Sequence, residues 1–151
     1  MVLSTAQSYR DAAKEHLGRA DRLFENNEYF LAHYIAGLAV ECHLRAYVRR
    51  ATKEFDSRHD LNGLAKESGF YDLVPLKQVE SFSVKFSILN ARWRSNHRYF
   101  SERQFLDYMN EPNAMAQEDF QARGNKWKNL SRTVLNLAHE IINLGEAKWD
   151  Q

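Results

Sequence analysis

YFLAHYIAGLAV, residues 29–40, carries no formal charge between Glu28 and Glu41, and after Glu41 the apolar character resumes through Cys42, Leu44, Ala46, Tyr47 and Val48. At 100° per residue, Ala32, Ala36, Ala39 and Ala46 share one narrow side, where small side chains let a neighbouring backbone approach closely. Ile35, Leu38 and Cys42 lie beside that stripe, and Val40, Leu44 and Tyr47 flank its other edge. A helix that is apolar on all sides is one that other helices cover. Glu41 interrupts it, and a carboxylate in such a setting is either paired or uncharged. Arg45, one turn further on, is its expected partner.

The flanking chain supplies the covering helices. Ser4 is placed to cap a first helix, with Gln7 completing a capping box. Tyr9, Ala13, His16, Leu17, Ala20, Leu23 and Phe24 then recur at three and four as far as about Glu25. Asn26 and Asn27 end that helix, so the first two should be antiparallel neighbours. Beyond Val48 the chain turns polar, through Arg49, Arg50, Lys53, Glu54, Asp56 and Arg58. Asp60 has the position of an N-cap for a short helix ending near Gly69. Pro75 suits the first turn of the next helix, which Val79, Phe82, Phe86, Leu89 and Trp93 carry at helical spacing. The periodicity fails after Trp93, which predicts a connection over 94–112 with one helical turn around Phe105 to Met109. Trp127, Leu130, Val134, Leu137, Ile141 and Leu144 form a continuous seam in a final helix. That helix is expected to begin as early as Asn113, to be weak at Gly124 and to stop at Gly145. The seam can be satisfied inside the chain or across a two-fold axis. With no strand pattern and no repeat, the expectation is one all-α domain over residues 1–151, an antiparallel bundle of four to five helices.

Composition narrows the function by exclusion. At 151 residues the chain can bury one core without staples. A net charge of +1 names no partner, so a nucleic-acid surface would have to be a local patch. Cys42 is the sole cysteine, which rules out an internal disulfide and a cysteine-rich zinc site; its expected role is that of a small core hydrophobe. Glycine-rich phosphate loops and the Gly-x-Ser-x-Gly elbow are missing, which argues against ATPases, dinucleotide enzymes and serine hydrolases. The opening residues do not read as a signal segment, and no apolar run approaches the length a bilayer needs; cytoplasm is the expected location, without membrane attachment.

The run AHYIAGLAVECHLRAYV, preceded by ENNEY and followed by Phe55 and RHDLNGL at 58–64, resembles the HEPN domain family of small helical bundles. The matching positions are Ala32, Ala36, Ala39, Val40, Glu41, Leu44, Arg45 and Ala46, with His59, Asp60 and Leu61 downstream. The resemblance implies a HEPN-like bundle that pairs as a symmetric homodimer and handles RNA or a nucleotide, often in toxin-antitoxin or phage-defence systems beside a nucleotidyltransferase-like antitoxin. It implies no cofactor.

The strongest candidate for chemistry is ARWRSNHRYFSERQF, residues 91–105, where Arg92, Arg94, Arg98 and Arg103 stand among Trp93, Tyr99, Phe100 and Phe105, with Glu102 the only acid. Guanidinium groups pair with phosphates and aromatic rings stack on bases, the combination a single-stranded RNA surface needs. Four residues separate Arg92 from His97, which is similar to the Arg, four to six residues, His motif of ribonuclease members of the HEPN family. By that resemblance two copies meet and cleave RNA without a metal, as an endoribonuclease. His97 would move the proton of a ribose 2′-hydroxyl, Arg92 would stabilise charge on the phosphate, and Arg94, Arg98, Tyr99 and Arg103 would hold substrate. Positions five apart on an ideal helix diverge by about 140°, so the pair can cooperate only if the helix breaks between them or a second subunit completes the site. Trp93 departs from the family pattern, in which a polar residue commonly follows the motif Arg. The Arg98-Tyr99 step also resembles members not known to cut RNA, which favours a non-catalytic module that binds RNA, a nucleotide or a protein. The plain alternative is that Arg92 and Arg94 are solvated charges and His97 a loop residue. Elsewhere, Glu41, Arg45, His59 and Asp60 are read as structural polar residues. Asp56 and His59 have a di-iron spacing without a second copy, so no metal is expected. His16, His33, His43 and His139 are read as satisfied core or interface histidines.

Overall fold

The computed structural model describes residues 5–52, 60–101, 103, 104, 107 and 126–151. In chain order they form α1 (Ala6–Glu25), α2 (Tyr29–Thr52), α3 (Leu61–Glu67), α4 (Phe70–Leu73), a 3-10 turn (Leu76–Gln78), α5 (Val79–Arg92), a second 3-10 turn (Ser95–Tyr99) and α6 (Lys126–Lys148). No strand occurs among the described residues, and the architecture is an all-α helical bundle. None of its described helices is long and apolar enough to cross a membrane.

The cap of α1 is Thr5, not Ser4, which lies outside the described residues. The Thr5 hydroxyl accepts from the Ser8 N–H at 3.0 Å while the Thr5 N–H donates to the Ser8 hydroxyl at 2.7 Å. A short hydroxyl at the third helical position closes the box as well as the longer Gln7 would, and Gln7 instead donates to Asp11 at 2.7 Å. Ala13, Leu17 and Ala20 bury the inner face of α1. At the α1–α2 turn Asn27 takes φ 63°, a left-handed conformation that asparagine tolerates, and Glu28 N–H reaches back to the Leu23 carbonyl at 2.9 Å.

α2 is the axis of the bundle, with α1 and α6 packed along it and with Ala32, Ala36, Ala39, Val40 and Leu44 wholly buried in the central core. Arg10 pairs with Glu146, and Asp21 with His139, so α1 runs antiparallel to α6 as it does to α2. Glu41 and Arg45 meet as expected: Arg45 Nε donates to Glu41 Oε1 at 2.9 Å, with both side chains about as buried as the surrounding core. Asp60 caps α3, its carboxylate accepting from the Asn62 N–H at 3.1 Å. Pro75 opens the 3-10 turn at Leu76–Gln78 instead of the first turn of α5, which starts only at Val79. Phe82, Phe86, Leu89 and Trp93 then bury the face of α5 that the spacing predicts, and Phe70 packs tilted against Phe82 and edge-on against Phe86.

In α6, Leu130, Val134, Leu137 and Ile141 are buried against their own chain, so along those positions the seam is intramolecular. The side chain of Trp127, the proposed start at Asn113 and the weak point at Gly124 lie outside the described residues, as do Phe55, Asp56 and His59. The same holds for the turn at Phe105 to Met109 apart from Asp107, which is helical.

Gly145 does not stop α6, which continues to Lys148. Its missing side chain serves packing: a Cβ there would overlap the His43 imidazole, and the Gly145 carbonyl accepts from the Tyr47 hydroxyl at 2.5 Å. Tyr47 also packs edge-on against Trp149 with 4.9 Å between ring centres. The Arg50 guanidinium lies over both rings and donates to the Trp149 carbonyl, and Arg10 lies over Trp149 from α1 while making a two-pronged pair with Glu146. The start of α1, the end of α2 and the end of α6 are thus fastened together.

Three outcomes follow for stability. Gly145→Ala gains helix propensity but drives a methyl group into His43, and urea unfolding should show a net loss of about 1–3 kcal/mol; an unchanged or higher midpoint would contradict the contact. Arg45→Leu leaves the Glu41 carboxylate buried without its partner, so a loss of about 3–5 kcal/mol is expected, with the Glu41→Leu, Arg45→Leu double variant closer to wild type than either single change. Burial lowers the His43 pKa from 6.5 to about 4, with Glu146 opposing the shift and Arg10 and Lys14 adding to it. The unfolded chain therefore binds a proton that the folded chain refuses, and the contribution of His43, complete above about pH 6.5, is lost as pH falls toward 4. Urea midpoints at pH 7.5 and 5 should differ less in His43→Gln than in wild type.

Candidate functional site

α5 ends at Arg92 because Trp93 turns extended, with φ −125° and ψ 134°. Arg94 stays extended, and the chain then winds into the 3-10 turn at Ser95–Tyr99. This is the break that the Arg92–His97 spacing requires. Its position is set by the Trp93 indole, which sits against α2 where Gly37 offers no side chain; a Cβ on Gly37 would overlap the indole. The indole Nε1–H donates to the Tyr34 carbonyl at 2.9 Å, and the Tyr34 ring stacks on the indole with centroids 6.0 Å apart. Trp93 is thus the anchor of the break.

His97 is wholly buried and holds the turn together. Its Nδ1 accepts the Arg94 main-chain N–H at 3.1 Å, and its own main-chain N–H returns to the Arg94 carbonyl at 3.1 Å. The imidazole lies between Phe100, 5.2 Å away by centroids, and His33 of α2, 5.8 Å away and tilted by 31°. His33 is also wholly buried. Burial, followed by the neighbouring His97, holds His33 well below the ordinary imidazole value, with Arg92 acting on it through both its main chain and its charge. Burial and Arg94 bring His97 down to about 4, so both rings are neutral at pH 7.

Arg92 is buried at 5 % exposure, at a helix C-terminus where a cation suits the helix dipole. It is therefore not the solvated charge of the plain alternative, and His97 is not a free loop residue. His33 joins the two, since it feels both Arg92 and His97. The substrate-binding candidates separate from this interior group. Arg94, Arg98 and Arg103 are exposed, and Tyr99 is 73 % exposed with the Arg98 guanidinium 4.8 Å from its ring centre. Arg98 also interacts with Tyr34, whose hydroxyl burial pushes up and Arg98 pulls back. Glu41 and Arg45 form their own pair farther along α2, and Asp60 caps α3. No group of three or more metal-ligating side chains occurs among the described residues.

Their place on or beside apolar helical faces pointed to the core or an interface for His16, His33, His43 and His139, and His16 is half-buried. His33 and His43 lie in the core, whereas His139 is part-exposed and pairs with Asp21 at 2.7 Å. The signal that would have raised His33 above the others is Gly37 one turn later: an isolated glycine in a strong helix marks a close approach, and His33 shares its face.

No curated protein and no solved structure matches the chain at a significant level. The model of the HEPN domain matches residues 6–148, nearly the whole sequence. That span includes the α2 pattern, the Arg92–His97 break and the final helix, and the chain belongs to the HEPN domain family.

Proposed function

We propose that this HEPN protein acts on single-stranded RNA and cleaves it without a metal, with Arg92 and His97 at the scissile phosphate. The observation that carries this reading is the helix break at Trp93, which turns two side chains that a continuous helix would hold about 140° apart into one buried cluster around His33. In the reaction the ribose 2′-oxygen forms a bond to phosphorus, the bond to the 5′-oxygen breaks, and a 2′,3′-cyclic phosphate and a 5′-hydroxyl result. The 2′-hydroxyl loses one proton and the 5′-oxygen gains one. Arg94, Arg98, Tyr99 and Arg103 present the cationic and aromatic surface that strand and bases require.

Both central groups are enclosed within one chain, so contact with RNA requires a local opening that uncovers the Nε2 edge of His97. A homodimer is part of the proposal. Leu31 is 43 % exposed on α2, and Ile35, Leu38 and Cys42 continue its stripe only half-buried, an apolar strip suited to a second copy. A toxin-antitoxin or defence setting, with a nucleotidyltransferase-like partner, belongs to the same reading, and HEPN proteins are often linked to ribonuclease or nucleotide-binding roles. The second reading is a module that binds RNA or a nucleotide without cutting it, and the contrast between exposed Arg94, Arg98 and Tyr99 and enclosed Arg92 and His97 favours it.

Purified protein incubated with single-stranded RNA in EDTA should yield cyclic phosphate ends, and His97→Ala should remove at least about 100-fold of that activity, the scale expected for one transition-state contact. Circular dichroism and dimer mass should not change. Cleavage that persists in His97→Ala refutes the assignment, and salt-dependent retention of RNA without products selects the binding reading.

A further inference from the structure

The main-chain N–H of Arg94 can only donate, so the nitrogen that accepts it, Nδ1 of His97, must present a lone pair. In the neutral ring the single proton then sits on Nε2. A base acting through Nε2 would need the opposite tautomer, which sets an Nδ1 proton against the Arg94 N–H and breaks the bond that closes the turn. The His33 and Phe100 rings both pack against His97, with centroids 5.8 and 5.2 Å away, and restrain its ring. We propose that His97 meets a phosphate as an Nε2–H hydrogen-bond donor and not as a proton-abstracting base, and that His33 is the positioning residue that keeps its ring in that form. This rests on the RNA-cleavage reading for its substrate, and it replaces the proton-shuttle role that residue type alone suggests.

In the cleavage step the Nε2–H stays on His97 while a non-bridging phosphoryl oxygen accepts from it and gathers negative charge. Water takes the 2′ proton and returns one to the 5′-oxygen. The groups facing the two rings agree with this role. Arg94 in the turn opposes a positive charge on His97, and Arg92 from α5 and His97 itself oppose one on His33. None of the groups acting on the two rings is an acid; the Arg92 main chain alone favours a charge on His33, and burial, His97 and the Arg92 guanidinium outweigh it.

The test has a spectroscopic arm and a functional arm. In histidine-labelled full-length protein, long-range proton–nitrogen correlation should show His97 as the Nε2–H tautomer from pH 8 down to about pH 5. An Nδ1–H tautomer, or an imidazolium at pH 7, overturns the proposal whether or not the protein cuts RNA. In His33→Phe, which keeps a ring of similar size, His97 should show both tautomers while circular dichroism stays unchanged; a single unaltered Nε2–H signal removes the positioning role. Functionally, His97→Gln retains an N–H donor but no titrating base, so it should keep cleavage within about 10-fold of wild type while His97→Ala falls by about 100-fold or more. Equal loss in the two variants overturns the donor role. Should wild type make no products, the RNA-cleavage reading fails separately, and the donor role is decided by adding inorganic phosphate: a shift of the His97 Nε2–H resonance supports it, and an unmoved resonance overturns it.

Discussion

The seat of the Trp93 indole on Gly37 is the contact from which the local geometry descends. An indole can lie against a helix only where no side chain intervenes, and its N–H must then find an acceptor, here the Tyr34 carbonyl. Once that contact forms, α5 cannot continue past Arg92, because Trp93 must leave the helical path to reach α2. The turn that follows is carried back over His33, and Arg92 and His97 finish in one interior instead of on different sides of a helix. A glycine and a tryptophan, neither of them reactive, thereby govern where the guanidinium and the imidazole are found.

The same region is layered by charge. Below lie groups that burial keeps neutral or confines: His33, His97 and the helix-terminal Arg92. Above lie the solvent-exposed Arg94, Arg98 and Arg103, with Tyr99 beneath the Arg98 guanidinium. Electrostatic attraction and shape-dependent contact are thus assigned to different residues. An anion can be gathered by the outer layer over a Debye length of about 8–10 Å, whereas the inner layer acts only at hydrogen-bond range.

Much of this was legible in the sequence because the relevant forces are local. The uncharged run of α2 required covering helices, Arg45 was the nearest cation to a buried Glu41, and Asp60 had the geometry of a cap before any packing was known. What escaped was non-local. Glycine read as a helix terminator at Gly145 because propensity is a property of the single helix, while the space it leaves belongs to His43 on another. The cap at Thr5 differs from Ser4 by one residue, a distinction that two adjacent hydroxyls do not express. His33 looked like any core histidine, since only the path of the chain beyond Trp93 brings His97 against it.

The fastening of Arg10, Tyr47, Arg50, Glu146 and Trp149 sits at the far end of α2 from His33. Tyr47 lies fourteen residues beyond His33 on one continuous helix, a separation of roughly 21 Å at the α-helical rise. Anchorage and the proposed site therefore occupy opposite poles of a shared rod. Substitutions can accumulate at the cationic-aromatic pole to adjust how firmly the bundle is closed, while the pole with the paired imidazoles changes independently, and neither must wait for the other.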